Sequence, residues 1–361
     1  MMTTSLCNAL NLQYPIVQAP MAGVSTPQMA AAVTAAGGLG SISVGASTPA
    51  QAEKMIAETR ALSAGPFNVN VFCHQPVVRN EALESAWIER FNPLFQRYQV
   101  ALPSGLTEIY QTFHQNEPML AVLEKMRPAV VSFHFGIPPA EAIGRLKQCG
   151  IVTLATATSI YEAQEIADNG IDFIVAQGIE AGGHRGIFHP EENDQQLSTF
   201  TLLQAIRKVI DLPVIAAGGV MDGAGIAAML TLGAAGVQLG TAFVLCPESA
   251  ANAAYRAALK SEAASRTMMT SAISGRPARC IANAFCAHGE QIARHEVPVY
   301  PLTYSLGKAV AAAARAQGEY GYDAQWAGQG AHLAREMPAA ELVRRLVAEW
   351  QQAAGGVTPV A

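Results

Sequence analysis

No run of eighteen or more apolar residues occurs in this chain. Gly, Ser, Thr and charged residues interrupt every candidate, so no membrane-spanning helix is expected. Met1 to Leu10 lacks a basic stretch followed by an apolar one, which argues against a secretory signal. Charge is scarce: 14% of residues are ionisable acids or bases, with a net charge of -5. The basic residues are scattered, and a nucleic-acid groove needs them clustered, so no nucleic-acid partner is expected. Six cysteines are present without a single CxxC pair. That spacing excludes a zinc knuckle, so no metal is expected, and it fits reduced thiols in a cytoplasmic protein. No repeat of fixed period is visible.

What is abundant is apolar residues, half of 361, enough to bury a large core. Eight short apolar runs read as strands: Ile16–Ala19, Leu39–Ile42, Phe67–Val71, Val130–Phe133, Val152–Ala155, Phe173–Ala176, Val214–Ala217 and Gly236–Leu239. None alternates cleanly with polar residues, as expected of strands covered on both faces of a parallel sheet. Helical patterns over Pro27–Ala36, Pro139–Cys149, Ser159–Asn169, Thr199–Ile210 and Asp222–Leu232 lie between them. Thr26 with Pro27 marks one helix start, and Ser159 with Glu162 has the spacing of a capping box. Gly37, Gly150, Gly170 and Gly233 sit where helices should stop in a left-handed residue.

This rhythm predicts an α/β fold, a (β/α)₈ TIM barrel with a mostly helical cap. Two stretches break it, His74 to Gln115 and Pro247 to about Gly330. Both follow strand C-termini, where barrel active sites form. The expected division is a barrel over 1–74, 106–248 and 330–361 and a cap over 75–105 and 249–329.

The strand C-termini carry the chemistry. The run Gly178 to Gly186 (GIEAGGHRG) delivers His184 on a glycine-rich turn, the best candidate for a base titrating near neutral pH. His134 ends the fourth strand, whereas His74, His114, His189, His288, His295 and His332 read as surface or loop residues, His288 being also a candidate for the cap. Gly218-Gly219 and Gly240-Thr241 follow strands seven and eight, where barrels bind phosphate on backbone N–H groups. A phosphate-bearing cofactor and a phosphorylated substrate fit them equally. Asn70 and Gln177 suit the edge of a heterocycle or a satisfied core; Met21 suits a flat ring or ordinary packing. Tyr300, Tyr304 and Lys308 share one face of a helix running to about Ala316, either an anion site or an exposed amphipathic face.

In combination these motifs resemble a known family. Gln18-Ala19-Pro20-Met21-Ala22-Gly23, Asn68-Val69-Asn70, Ser132-Phe133-His134-Phe135-Gly136, Gln177 through His184, Ala216 through Gly219 and Gln238 through Thr241 resemble the nitronate monooxygenases (2-nitropropane dioxygenases), class I. The likeness covers nearly the whole chain. It implies an FMN cofactor held by Pro20, Met21, Ala22, Asn70, Gln177, Gly182, Gly218, Gly219, Gln238, Gly240 and Thr241. It implies His184 facing the substrate as the catalytic residue, with His134, Tyr300, Tyr304 and Lys308 binding it. The implied reaction is oxidation of an alkyl nitronate by O₂ to a carbonyl compound and nitrite, through a flavosemiquinone, with propionate 3-nitronate as a fitting substrate. Two rivals remain at this point: an FMN-dependent NAD(P)H reductase acting on an enoyl-acyl carrier protein or a quinone, and a non-catalytic phosphate-ligand barrel.

Overall fold

The computed structural model describes residues 4–355; the ends of the expected barrel segments, 1–3 and 356–361, lie outside them. In chain order the strands are β1 (Ile16–Gln18), β2 (Gly40–Ser43), β3 (Phe67–Phe72), β4 (Val130–His134), β5 (Val152–Ala157), β6 (Phe173–Gln177), β7 (Gly183–His184), β8 (Val214–Ala217), β9 (Gly236–Leu239), β10 (Thr267–Thr270) and β11 (Ala278–Ile281). Eight of them form one parallel sheet in the order β1-β9-β8-β6-β5-β4-β3-β2. The ends meet through a parallel bridge between Val17 and Leu39, with Gln18 N–H donating to the Leu39 carbonyl at 3.0 Å. The sheet is therefore a nearly closed (β/α)₈ barrel, as the apolar runs predict.

Helix starts follow side-chain chemistry. Thr26 accepts from Met29 N–H ahead of Pro27, and Thr48 with Gln51 forms a reciprocal capping box ahead of Pro49. The expected box at Ser159 is not reciprocal. Ser159 caps Glu162 N–H at 3.2 Å, but the Glu162 carboxylate turns to Thr158 N–H at 2.5 Å and Phe188 N–H at 2.8 Å. A buried acceptor takes whichever buried donors lack partners, and here those are Thr158 N–H just after β5 and Phe188 N–H in the loop after His184. The four helix-stop glycines have positive φ as expected, between 70° and 91°.

Three features go beyond the sequence reading. Helix Ser5–Leu10 buries Leu6 and Leu10 against Val17, Leu39, Leu154, Phe173 and Ile215, filling the barrel interior opposite the cap. Helix Ala339–Gly355 packs on helices Gly223–Thr231 and Pro27–Ala35 and completes the outer ring. Beside its helices the cap contains a three-stranded antiparallel sheet, β10-β11-β7. Each of these strands is four residues or shorter, too short to leave a periodic signal. Trp87, Phe91 and Phe95, one stripe of helix Glu81–Arg97, pack with Phe285, Leu302 and Leu306 in a second core above the barrel mouth.

Leu6→Ala is expected to lower the unfolding free energy by about 2–5 kcal/mol, the range for a truncated core leucine. A denaturant titration measures this. An unchanged midpoint would show that the helix Ser5–Leu10 lies outside the cooperative core.

Candidate functional site

A cavity of about 720 Å³ opens at the C-terminal ends of the barrel strands, roofed by the cap. Every residue given a catalytic, substrate-binding or cofactor-binding role from the sequence lines it. The barrel contributes Pro20, Met21 and Ala22 after β1, Asn70 from β3, His134 from β4 and Gln177 from β6. Gly182 and His184 come from the loop after β6; Gly218, Gly219, Gln238, Gly240 and Thr241 come from the ends of β8 and β9. The cap contributes Tyr300, Tyr304 and Lys308.

The His184 turn is more rigid than its glycines suggest. Gly183 and His184 form β7 and pair with Arg279 and Ala278 of β11. The His184 carbonyl accepts from Gln177 Nε2 at 3.0 Å and faces His134 Nε2 at 3.2 Å. Gln177 Oε1 accepts from Gly186 N–H at 2.8 Å, so one amide clamps both limbs of the loop. One N–H and one lone pair of Gln177 remain for a ligand. A Cβ on Gly186 would lie 2.5 Å from Thr156 Cγ2 and 3.1 Å from His134 Cε1, so the glycine lets this limb press against His134. Asn70 is engaged in the same way: Oδ1 accepts from Ser43 Oγ at 3.2 Å and Nδ2 donates to the Ser132 carbonyl at 3.1 Å.

The histidines do not titrate near neutrality, contrary to the sequence reading of His184. Burial lowers the His184 ring to about 3, with His134 and the Arg276 guanidinium adding to the fall. Burial lowers His134 to about 4, opposed by its bond to the His184 carbonyl. A carbonyl can only accept, so His134 carries its proton on Nε2. Its Nδ1 then accepts from Thr156 Oγ1 at 3.1 Å. His184 Nε2 lies 2.9 Å from Ser274 Oγ, and Phe135, Tyr300, Tyr304 and Trp326 surround its ring with centroids 4.9 to 6.0 Å away. His74, read as a surface or loop residue, is 1% exposed and lowered to about 3, chiefly by burial. It packs edge-on to Tyr300 at 5.0 Å. Nothing local in the sequence marks it, because the burial comes from the cap.

The cap wall has the opposite proton balance. Burial pushes the Tyr304 and Tyr110 phenols up to about 12, and Tyr300 well above its ordinary value. All three stay protonated and can donate. The Lys308 ammonium lies 5.2 Å from the Tyr304 ring centroid and 5.4 Å from that of Tyr110. Tyr110 belongs to the stretch His74 to Gln115 that breaks the strand–helix rhythm, and sequence reasoning missed it along with Trp326 and Ser274, while Phe135 entered only as part of the His134 motif. Only its aromatic character, in a long loop after a strand end, could have drawn attention to it.

The barrel wall fits a phosphorylated, flat ligand. A Cβ on Gly240 would point toward Met21 Sδ at 3.6 Å and Ala19 Cβ at 3.4 Å, ordinary contacts. The protein alone therefore leaves room there for a side chain, and the glycine instead keeps the backbone open to the cavity. Among the described residues no protein acceptor takes the N–H of Gly219 or Gly240. Thr241 Oγ1 accepts from Gly328 N–H at 3.0 Å, which leaves its own O–H free to donate.

The sequence pattern of the family described as nitronate monooxygenase matches residues 3–349. The chain belongs to the nitronate monooxygenase family. A nitronate monooxygenase of Paraburkholderia phytofirmans is 54% identical over 348 residues, 96% of this chain and 95% of the relative. One from Pseudomonas aeruginosa is 49% identical over 348 residues, 96% and 99% of the two chains. Among solved structures, nitroalkane oxidase from Streptomyces ansochromogenes superposes with a TM-score of 0.89 at 39% identity, covering 98% of this chain and 99% of that one. FabK from Thermotoga maritima superposes with a TM-score of 0.75 at 27% identity over 98% of both. As a nitronate monooxygenase family member, the chain is an oxidoreductase of a flavin-dependent kind. No helix of the described residues is long and apolar enough to cross a membrane.

The lowered histidines make stability depend on pH. Unfolded, each ring takes its proton near 6.5; folded, His74 and His184 do so only near 3 and His134 near 4. Between those limits the unfolded chain binds more protons, so stability present above pH 6.5 is lost as the pH falls. Each ring removes about 1.4 kcal/mol per pH unit below 6.5. Thermal midpoints measured from pH 7.5 to 5 should fall steadily below about 6.5. A flat profile would mean that the rings are not held neutral.

Proposed function

We propose that this chain binds FMN in the cavity at the barrel mouth and oxidises a carboxylated alkyl nitronate with O₂, giving a carbonyl compound and nitrite. Propionate 3-nitronate is the substrate to test. On the same reading the chain divides into a flavin-binding barrel (1–74, 106–248 and 330–361) and a substrate-binding cap (75–105 and 249–329). The observation that carries the reading is the cap wall: Lys308, held between the Tyr304 and Tyr110 rings, faces across the cavity to His184 with protonated phenols around it. The one carboxylate lining the cavity, Asp323, is paired with Arg315 at 3.2 Å, so the Lys308 ammonium and its three O–H donors remain available to an anion.

Pro20, Met21 and Ala22 would lie along the flavin ring, with Asn70, Gln177 and Gln238 at its polar edges. Gly182, Gly218, Gly219, Gly240 and Thr241 would hold its phosphate. Bound FMN supplies the electron acceptor and the route to O₂. The protein's task is then to bind, orient and desolvate the nitronate. That substrate has already lost its α-proton, so His184 has no proton to remove from it. A neutral His184 can instead donate or accept a hydrogen bond at the reacting end while His134 holds the loop. For a neutral nitroalkane His184 would be the base, and a ring lowered to about 3 is a weak one. Nitronates should therefore react much faster than the parent nitroalkanes.

Lys308→Ala should raise KM for propionate 3-nitronate by about 10- to 100-fold, the value of one charged hydrogen bond. KM for an uncharged alkyl nitronate should change little. Equal effects on both substrates, measured by O₂ uptake, would remove the carboxylate from the reading.

An FMN-dependent reductase would share the barrel and the EAGGH-like turn. Anaerobic mixing with NADH or NADPH separates the two activities. The visible flavin band is expected to persist; rapid bleaching without nitronate turnover would move the chain to the reductases.

A further inference from the structure

Arg276 lies in the turn leading into β11 and is 3% exposed. Its Nη2 donates to the Ile187 carbonyl, and its Nε has no partner. Arg185, buried as deeply, pairs with Asp194 through two bonds of 2.8 and 2.9 Å. Among the described residues no carboxylate forms such a pair with Arg276. A buried cation without a counter-ion is costly, so its charge is felt by whatever lies nearby. Its neighbour is Phe135, whose ring centroid is 4.5 Å from the guanidinium carbon.

Phe135 connects this charge to the cavity. Its ring lies 4.5 Å from that of His134, 5.6 Å from His184 and 5.2 Å from Tyr300. Its backbone is left-handed, with φ of 75°, a conformation a bulky residue rarely adopts. The other groups that bear on Arg276 do not cancel it. Arg294 adds like charge, while Tyr300, Glu191 and Glu162 oppose it. Tyr300 is held protonated. Glu191 is exposed beside His189. Glu162 turns its oxygens to Thr158 and Phe188 and opposes Arg276 only at a distance, without an ion pair. The histidines facing it are His74, His134 and His184.

We propose that Arg276 is an electrostatic positioning residue, whose unpaired charge behind the Phe135 ring draws an anionic substrate toward His184. This rests on the nitronate reading above. The same charge disfavours imidazolium at His134 and His184. Burial lowers Arg276 to about 10, so the positive potential of this wall persists through the neutral range and does not depend on a histidine gaining a proton. Arg276 touches neither substrate nor flavin; it acts through the field it sets.

The test uses the flavin-loaded protein and the variants Arg276→Met and Arg276→Lys. NMR titration of labelled histidines should show His134 and His184 gaining protons at higher pH in Arg276→Met. KM for propionate 3-nitronate should rise about 5- to 20-fold, with kcat changing less. Arg276→Lys should restore both at neutral pH but lose its charge at alkaline pH, since a buried lysine deprotonates readily. Its KM should then climb with pH below about 9, a range in which the parent arginine, lowered to about 10, still holds its charge. If Arg276→Met does not fold, that alkaline climb alone decides. Unchanged titrations and KM in Arg276→Met, or a KM of Arg276→Lys flat from about pH 6 to 9, would overturn the proposal. If the parent protein oxidised no nitronate, the nitronate reading would fail, and the histidine titrations would still judge Arg276.

Discussion

The main-chain carbonyl of His184 has to be satisfied inside the protein, and two side chains converge on it. Gln177 reaches it from β6 at 3.0 Å and His134 from β4 at 3.2 Å. Because a carbonyl cannot donate, this contact places the His134 proton on Nε2 and turns Nδ1 to the Thr156 hydroxyl on β5. Three adjacent barrel strands are thereby tied to one residue of the loop. That residue also pairs with β11, so the barrel and the cap sheet meet in the same two-residue strand. A shift in any of these partners would leave a buried carbonyl unpaired, a loss of about 1–3 kcal/mol. The cavity's shape follows from that constraint.

The charge pattern follows from burial. Desolvation acts on the buried imidazoles and phenols of the pocket and favours their neutral forms. The imidazoles lose their protons and the phenols keep theirs. Lys308 at the rim, the unpaired Arg276 behind Phe135 and the phenol donors remain as positive features, and the one carboxylate in the wall, Asp323, is paired with Arg315. One fold thus combines a barrel wall of open backbone, shaped by Gly219 and Gly240, with a cap wall suited to an anion. The cap carries its own apolar core, with Trp87, Phe91 and Phe285, so it presents that wall on a packed scaffold rather than on a mobile loop.

Much of the barrel was legible because the signal is local. Strands covered on both faces are plain apolar runs, and helix stops need a left-handed residue; both leave direct marks on the chain. Gly218 and Gly219 after β8 were legible for the same reason, as their positive φ tolerates little else. The cap was not. Strands β10 and β11 are four residues each and stabilised by pairing with one another and with β7, so no periodicity announces them. Helix Ser5–Leu10 is six residues long and depends on burying Leu6 and Leu10 in the barrel.

Sequence alone determined the parallel barrel, its strand order of chemistry-bearing ends and the identity of the histidines, amides and cap residues that line one cavity. Tertiary structure decided their states. Whether His184 titrates near neutrality depends on how much protein surrounds it and on Arg276, ninety-two positions along the chain. Likewise His74 is buried, Tyr110 stands beside Lys308 and Gln177 clamps a loop only because distant segments meet. Proton affinity and hydrogen-bond satisfaction are properties of a surrounding volume, and neighbours in sequence make up little of that volume.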